Sequence, residues 1–317
     1  MSGFERYIEG LLDKLGLGHI KGSWEDARIP SGGDTELYAA VFEADAQAPS
    51  VVFIPGTSIY ALCYAELLYG FYKHGINVVG FDPRGQGRST GIRGDYTVMD
   101  HVEDAGAACA FARERFGGPV YVMGSSQGGI EAFYMAAADG VADGYICHNL
   151  AELTSAQSLR LTRFGPAGPV SGRLKSLSPW TISSLRAAAR VFPYARVPIA
   201  SYLDLRKEPM KVFGDAWSFI LQDPLALRSI TLRAFASIAG TPLPRPVEDI
   251  QGPLLVLHSS GDHIFPEDYV MDIYNRLGCE KEIKVYQAPH LVTIEHVPEI
   301  LPDLVEWVWR KARGEGG

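Results

Sequence analysis

The strongest chemical signal in this chain is a serine set between two glycines. Gly124, Ser126 and Gly128 give the spacing G-x-S-x-G, with an apolar run at 120–123 before it and helix-forming residues at 130–138 after it. A serine on a strand–turn–helix of this kind projects its hydroxyl from the end of a sheet, where it can attack a carbonyl carbon. The pattern therefore predicts a nucleophile rather than an ordinary turn rich in serine and glycine.

A serine nucleophile needs a base to take its proton and an acid to orient that base. In this turn architecture the acid and the base follow the serine along the chain, each at the end of a strand. Asp262 follows the apolar run 253–258, and His290 follows the run 283–286. Because the carboxyl ends of parallel strands share one edge of a sheet, we expect Ser126, Asp262 and His290 to meet there.

Other residues compete for the same roles. Asp262 also suits the cap of a following helix, and a lone histidine is often a packing residue. His296 is an alternative base, close to the predicted start of the terminal helix, and Glu152 is an alternative acid after an earlier strand. Chain order and position favour Asp262 and His290.

Together these segments resemble the α/β-hydrolases, and within that fold the monoacylglycerol lipase and lysophospholipase-like branch. Residues 80–94 resemble that branch's D-x-R-G-x-G-x-S-x-G-x-R-G segment, and residues 53–57 resemble its strand followed by His-Gly-x. The chain's counterparts of the acid and base segments are Gly261-Asp262, His290 with Glu295, and Pro298-Glu299. The resemblance covers residues 50–150 and 250–312, and it is specific to the fold rather than to a substrate.

The resemblance implies an oxyanion hole made of two backbone amides, those of Thr57 and Gln127. Pro55-Gly56 stands where the family usually has His-Gly. A proline has no N–H to donate, but the implied donor is the amide of Thr57. Two such donors stabilise a developing oxyanion by about 3–4 kcal/mol each. The Thr57 hydroxyl is a candidate for a third donor.

Composition narrows the class of partner. The net charge of −8 and the pI near 5.5 argue against nucleic-acid binding, which needs basic patches. The start of the chain lacks the pattern of a signal peptide, and no apolar run reaches the ~18 residues that span a bilayer. The four cysteines are scattered, without metal-binding spacing, and are expected to be buried free thiols. We therefore expect a cytoplasmic protein without stable membrane insertion that acts on a small ester-like molecule, as a monomer or a homo-oligomer.

The predicted fold class is α/β, namely an α/β-hydrolase fold with a mostly parallel central sheet, helices on both faces and an inserted helical cap. The alternation of strands and helices stops near residue 153 and resumes at 253. We therefore predict a hydrolase core at 1–152 and 246–317, with the cap at 153–245. The strands are predicted at 37–42, 50–54, 76–81, 120–123, 144–148, 253–258 and 283–286.

The glycine-rich loop at 85–94 is predicted to be structural. It lacks the Gly-Lys-Ser/Thr ending of a phosphate-binding loop. Arg84 and Arg88 are expected to pair with local carboxylates, and Asp82 is structural in the family that the chain resembles.

The predicted cap is rich in aromatic residues and arginines. Most of the aromatic side chains are expected to pack the cap against the core, and a minority would line an apolar pocket. These aromatic residues are Trp180, Phe192, Tyr194, Tyr202, Phe213, Trp217, Phe219 and Phe235. The arginines suit either a solvated helix face or an anionic head group, and include Arg160, Arg163, Arg173, Arg186 and Arg190.

The predicted function is hydrolysis of a carboxylic ester with an apolar acyl or alcohol part, through Ser126, His290 and Asp262 and an acyl-enzyme. This chemistry requires no metal and no organic cofactor. Three alternatives stay open: cleavage of a peptide, lactone, thioester or carbon–carbon bond, lyase or perhydrolase chemistry, and a ligand-binding member of the fold without catalysis.

Overall fold

The computed structural model describes residues 3–138, 141–155, 158, 161, 162 and 179–315. The α-helices are α1 Gly3–Lys14, α2 Ala65–Lys73, α3 Val98–Arg115, α4 Gln127–Ala137, α5 Pro179–Val191, α6 Ala216–Gln222, α7 Leu232–Ile238, α8 Glu267–Arg276, α9 Val292–Glu295 and α10 Val297–Ala312. The strands are β1 Glu25–Pro30, β2 Glu36–Phe42, β3 Ser50–Ile54, β4 Asn77–Phe81, β5 Val120–Ser125, β6 Gly144–His148, β7 Arg196–Pro198, β8 Pro209–Met210, β9 Gly214–Asp215, β10 Ser229–Thr231, β11 Leu254–Ser259 and β12 Lys281–Tyr286.

Eight of these strands form one sheet in the order β1-β2-β4-β3-β5-β6-β11-β12. β2 runs antiparallel to β1 and to β4, and every later pair in the order is parallel. The carboxyl ends of β3, β5, β6, β11 and β12 therefore point to the same edge of the sheet. This arrangement confirms the predicted fold class.

Both faces of the sheet are buried, because alternate residues of each strand pack against different helices. In β3, Val52 and Ile54 join the apolar cluster that contains residues of α3, α4 and α8, whereas Val51 and Phe53 join the cluster of α1, α2 and α10. All four side chains are fully buried. Across the described ranges, no helix is long and apolar enough to cross a membrane.

The chain between β6 and β11 adds no strand to the main sheet in its described part. It contains α5, α6 and α7, and also two short antiparallel pairs, β7 with β10 and β8 with β9. Three residues of this region, Tyr202, Leu227 and Ile230, belong to a small buried cluster with Tyr96, which lies in the loop between β4 and α3. The region is thus mixed rather than purely helical, and its boundaries at 153 and 245 stay a prediction.

The glycine-rich loop packs between the sheet and this region. Asp82 is fully buried and accepts hydrogen bonds from the backbone amides of Ala61 and Arg88. Arg84 pairs with Asp104 at 2.7 Å, and Arg88 pairs with Asp26 at 2.6 Å. Both arginines therefore pair with carboxylates of the protein itself, as the sequence predicted.

The cysteines are free thiols. Cys63, Cys109 and Cys147 are buried, and Cys279 is partly exposed. Burial raises the pKa of each thiol, to about 12 for Cys109. Thiols in this state stay protonated at neutral pH and are poor nucleophiles.

Candidate active site

Ser126 lies on a sharp turn between β5 and α4. Its backbone has φ 56° and ψ −117°, a conformation that a non-glycine residue adopts only where the surroundings enforce it. A Cβ added to Gly128 would lie 2.2 Å from the carbonyl oxygen of Ile54, and one added to Gly124 would lie 1.9 Å from that of Gly128. The glycines therefore allow the turn to close against its own helix and against β3.

Ser126, His290 and Asp262 form a continuous hydrogen-bonded row. The Ser126 hydroxyl lies 2.9 Å from Nε2 of His290, and Nδ1 of His290 lies 2.7 Å from Oδ2 of Asp262. In the tautomer that satisfies both contacts, Nδ1–H donates to the carboxylate and Nε2 accepts from the hydroxyl. The structure thus brings together the three residues that the sequence singled out, each from the end of a different strand.

The contact between His290 and Asp262 shifts their pKa values in opposite directions. Burial opposes ionisation of Asp262, but the His290 imidazole and the hydrogen bonds to the carboxylate prevail and lower its pKa to about 2. Burial likewise lowers the pKa of His290, but the Asp262 carboxylate more than offsets this and the net pKa is raised. Asp262 is therefore ionised at neutral pH, and His290 is a stronger base than an isolated histidine.

Further side chains fix this row in place. Oδ1 of Asp262 accepts the backbone amides of Ile264 and Phe265 at 2.7 and 2.9 Å. Asn149, with φ 74°, donates its amide to Oδ2 of Asp262 at 3.0 Å. The Phe265 ring lies parallel to the His290 ring at 5.6 Å between centroids. Sequence reasoning missed Asn149, although a polar residue that tolerates positive φ directly after a predicted strand was a usable signal.

His148 lies on the other side of the same centre. Its ring stacks near that of His290, with 5.4 Å between centroids, and its Nδ1 lies 3.2 Å from the Ser125 hydroxyl. Burial and the neighbouring His290 lower the pKa of His148 to about 3, so this histidine is neutral. Its Nε2 atom is buried and has no hydrogen-bond partner among the described residues.

A buried polar chain runs behind the serine turn. The Thr57 hydroxyl donates to Oε1 of Gln127 at 2.7 Å, and Nε2 of Gln127 donates to Oε1 of Glu131 at 2.8 Å. The same Glu131 oxygen lies 2.7 Å from Nδ1 of His101. Burial opposes a charge on His101, but Glu131 outweighs it and the pKa of His101 is raised. The Tyr96 hydroxyl also donates to Oε1 of Gln127, at 3.2 Å.

The two backbone amides expected to form an oxyanion hole are available for that use. Within the described part of the chain, neither the Thr57 amide nor the Gln127 amide has a hydrogen-bond acceptor. The amide before Thr57, that of Gly56, is taken by the Tyr64 hydroxyl at 3.0 Å. The Thr57 hydroxyl, considered from sequence as a third donor, instead bonds the Gln127 side chain. It therefore joins the two segments that carry the free amides.

A cavity of about 430 Å³ opens onto Ser126 and His290. Its walls are almost entirely apolar, and no described lysine, arginine, aspartate or glutamate lines it. The region between β6 and β11 contributes much of the wall, including Leu185, Tyr202, Met210, Phe219 and Phe235. The arrangement suits an apolar substrate group held beside the serine hydroxyl.

The remaining sequence predictions have mixed outcomes. Tyr202, Phe219 and Phe235 line the cavity, whereas Phe192 and Tyr194 are exposed. Arg186 and Arg190 lie in a separate surface groove, away from the cavity. The side chains of Trp180, Arg160, Arg163 and Arg173 lie outside the described residues.

The competing acid and base are engaged elsewhere. Glu152 pairs with Arg276 at 2.7 Å, and Nδ1 of His296 lies 2.8 Å from Glu299. Donor atoms of His148, Asp262 and His290 lie within 4.8 Å of one another, a grouping of residue types that also occurs in metal sites. Here Asp262 and His290 bond each other and His290 contacts Ser126, so two of the three residues belong to the hydrogen-bonded row, and His148 stacks beside it.

Comparison with known proteins places this architecture in a family. The family described as serine aminopeptidase, S33, matches residues 45–296, which is most of the chain. A thiohydrolase from Arthrinium phaeospermum is 34% identical over 81 residues, which are 25% of this chain and only 26% of that protein. The chain therefore spans about a quarter of that relative's length in the matched region.

Solved structures share the fold. A monoacylglycerol lipase from Paleococcus ferrophilus is 21% identical with a TM-score of 0.65, over 87% of this chain and 99% of that one. A soluble variant of the Saccharomyces cerevisiae monoglyceride lipase, in complex with a substrate analogue, is 17% identical with a TM-score of 0.69, over 91% and 95%. The α/β hydrolase GrgF from Penicillium sp. sh18 is 17% identical with a TM-score of 0.67, over 92% and 99%. The protein therefore belongs to the family described as serine aminopeptidase, S33, and it shares the α/β-hydrolase fold of these solved structures.

Proposed function

We propose that the protein is a serine hydrolase that cleaves a carboxylic ester with an apolar acyl or alcohol part. The observation that carries the proposal is the hydrogen-bonded row Ser126–His290–Asp262, with contacts of 2.9 and 2.7 Å, at the mouth of an apolar cavity. The family match and the lipase neighbours support a hydrolase of this general kind.

The reaction follows from the roles of these groups. Ser126 attacks the ester carbonyl while Nε2 of His290 accepts the hydroxyl proton, and Asp262 stabilises the imidazolium that forms. The amides of Thr57 and Gln127 bind the oxyanion, and His290 then protonates the leaving alcohol. Water attacks the acyl-enzyme by the same route, which releases the acid and restores Ser126. These steps use groups of this chain throughout, and they are expected to run without a metal or organic cofactor.

The size of the cavity suggests the length of the acyl chain. Its volume of about 430 Å³ lies in the range of about 300–1,000 Å³ that is typical of small-molecule sites. An apolar cavity of this size favours a medium-length acyl chain over acetate. Each methylene buried in an apolar wall contributes about 0.8 kcal/mol, which is up to about fourfold in kcat/KM.

The test is a series of p-nitrophenyl esters from acetate to dodecanoate, with wild type and Ser126→Ala side by side, and labelling by a fluorophosphonate. We expect kcat/KM to rise from acetate to a maximum near octanoate or decanoate, and both turnover and labelling to vanish in Ser126→Ala. Acetate turned over far faster than octanoate would contradict the apolar substrate. Turnover retained in Ser126→Ala would contradict the serine mechanism itself.

A thioester is the second candidate substrate, favoured by the partial match to a thiohydrolase. The same row and the same amides serve either bond, because both reactions pass through an acyl-serine and an oxyanion. Pairing an oxygen ester and an N-acetylcysteamine thioester of the same acyl chain separates the two. A kcat/KM at least tenfold higher for the thioester would make thioester hydrolysis the assignment.

A further inference from the structure

Glu131 is a buried acid of α4 that the proposed reaction leaves without a role. Its exposed fraction is 1%, and it is not among the described residues that line the cavity beside Ser126. Residues four apart on a helix lie on the same face, so the side chains of Gln127 and Glu131 meet. Nε2 of Gln127 donates to Oε1 of Glu131 at 2.8 Å. The buried acid is therefore in direct contact with the residue that follows the serine.

The same oxygen of Glu131 accepts a second hydrogen bond, from α3. Nδ1 of His101 lies 2.7 Å from Oε1 of Glu131, and the His101 side chain is fully buried. Nε2 of His101 lies 3.4 Å from the carbonyl oxygen of Arg84, so both ring nitrogens face oxygen acceptors, which suits the doubly protonated ring. The His101 ring also stacks on the Tyr96 ring, with 4.0 Å between centroids. The Glu131 carboxylate is thus held in place from α3 as well as by its own helix.

These contacts determine which way the side-chain amide of Gln127 faces. An ionised carboxylate accepts hydrogen bonds and donates none, so the NH₂ group of Gln127 is the end that faces Glu131. Oε1 of Gln127 then faces away from Glu131 and accepts the hydroxyls of Thr57 at 2.7 Å and Tyr96 at 3.2 Å. The reverse orientation would place the amide oxygen against the carboxylate, with no proton between them. Glu131 therefore ensures that the Thr57 hydroxyl meets an acceptor.

The Gln127 side chain bridges the two segments that carry the proposed oxyanion donors. The backbone amide of Gln127 begins α4, and the backbone amide of Thr57 lies in the loop after β3. The hydroxyl of Thr57 ties that loop to the Gln127 side chain. Because such donors stabilise an oxyanion only when they are held in place beforehand, the bridge affects how well both amides act.

We propose that Glu131 is a positioning residue for the oxyanion hole, which orients the Gln127 side chain so that it holds the Thr57 amide beside the Gln127 amide. The inference rests on the proposed function, since it assumes that these two amides bind the oxyanion. Glu131 touches no reacting atom and acts only through Gln127. The oxyanion develops in the transition state, so loss of Glu131 should lower kcat and leave KM nearly unchanged.

The test is a double-mutant cycle between residues 57 and 131, measured on hydrolysis of p-nitrophenyl octanoate. Glu131→Met keeps an unbranched side chain of similar length and removes both carboxylate oxygens. Its kcat should fall about tenfold, less than the 10²- to 10³-fold that follows loss of a direct oxyanion donor. Thr57→Val removes the hydroxyl at the other end of the same bridge. Because both changes act through Gln127, the double variant should lose little more activity than the weaker of the two single variants.

Two further variants separate this role from a general loss of stability. Tyr38→Phe is the matched control, since the buried Tyr38 hydroxyl donates to a carboxylate oxygen of Asp26 at 2.7 Å, and Tyr38 is not among the described residues of the cavity wall. It should lower Tm, keep kcat within about twofold of wild type, and combine additively with Thr57→Val. Glu131→Gln keeps an oxygen that can accept from Gln127 and His101, so its kcat should lie above that of Glu131→Met.

A second readout reports on the oxyanion itself. The Ser126 hydroxyl adds to the carbonyl carbon of a trifluoromethyl ketone while its proton passes to His290, and the ketone oxygen becomes an oxyanion bound as in the transition state. The Ki of an octyl trifluoromethyl ketone should rise in Glu131→Met by about the factor by which kcat/KM falls. Tyr38→Phe should bind the same ketone as tightly as wild type does.

An unchanged kcat in Glu131→Met, or a loss that multiplies with that of Thr57→Val, would overturn the role of Glu131 and leave the proposed function standing. If Glu131→Met does not fold, Glu131→Asp takes its place in the cycle, with the same expectations, because it withdraws the carboxylate by one methylene group. The proposed function itself fails on a different result, namely turnover that survives Ser126→Ala. The two failures are therefore distinguishable within one set of proteins.

Discussion

Replacing Thr57 by valine tests what positions the Thr57 amide, one of the two amides that we propose to bind the oxyanion. Valine keeps the branched shape and removes the hydroxyl that donates to Oε1 of Gln127 at 2.7 Å. A lost hydrogen bond of this kind costs about 0.5–1.5 kcal/mol, whereas removing a direct oxyanion donor costs about 10²- to 10³-fold in kcat. If the hydroxyl only joins the two segments, kcat/KM should fall about 2- to 13-fold.

The assay is steady-state hydrolysis of the best p-nitrophenyl ester by wild type, Thr57→Val and Thr57→Ser. Serine keeps the hydroxyl, so Thr57→Ser should stay within about twofold of wild type. Gln127 still accepts from Tyr96 at 3.2 Å in each variant, which limits any movement of its side chain. A loss above 100-fold in kcat for Thr57→Val, with Thr57→Ser active, would refute this reasoning and make the hydroxyl a direct donor.

Three further predictions follow from the same geometry. The acidic limb of the wild-type kcat/KM profile should lie above pH ~6.5, the ordinary pKa of histidine. The reason is that the pKa of His290 is raised and that the proposed mechanism uses its neutral form as the base. A limb below that pH in the pH–rate profile would contradict this prediction. Asp262→Asn should lower kcat about 10⁴-fold. It should also lower Tm, because the new NH₂ group faces either the Ile264 amide or the Asn149 side-chain amide, and both are donors. Glu152→Gln is the control and should keep the ester hydrolysis rate, since Glu152 pairs with Arg276 away from the row. Gly128→Ala should lower Tm, because the added methyl group overpacks the turn and costs about 1–3 kcal/mol of stability or more. Gly106→Ala in α3 has open space around the new methyl group, so it should not lower Tm in the same thermal melts.

The row of three site residues was predictable because each member follows a local pattern. Ser126 lies where the sequence pattern changes from that of a strand, β5, to that of a helix, α4. Asp262 and His290 each follow an apolar run that predicts a strand. Parallel strands then bring their carboxyl ends together whatever the loop lengths are. The prediction of proximity thus needed only chain order and fold class.

Other features lacked such a local pattern. β1 was missed, because an edge strand with one buried side chain, Ile29, shows little alternation of apolar residues. The cavity joins Ile59 and Phe265 of the sheet edge with Tyr202 and Phe219 of the inserted region. Nothing in the sequence around any one of them indicates that the others are neighbours. Contacts of this kind depend on how the region between β6 and β11 packs against the sheet and its helices.

The departure at Pro55 now has a physical account. A histidine usually precedes the glycine of this loop in the family, and a proline cannot donate a backbone hydrogen bond in its place. In this chain the loop is fixed from two other points, since Tyr64 accepts the amide of Gly56 at 3.0 Å and Gln127 accepts the hydroxyl of Thr57 at 2.7 Å. Gly56 also lies so close to the serine turn that an added Cβ would come within 3.3 Å of the Ser126 Cβ. The position of the Thr57 amide is therefore set by contacts to α4 and to the segment before α2, and it does not require a donor at residue 55.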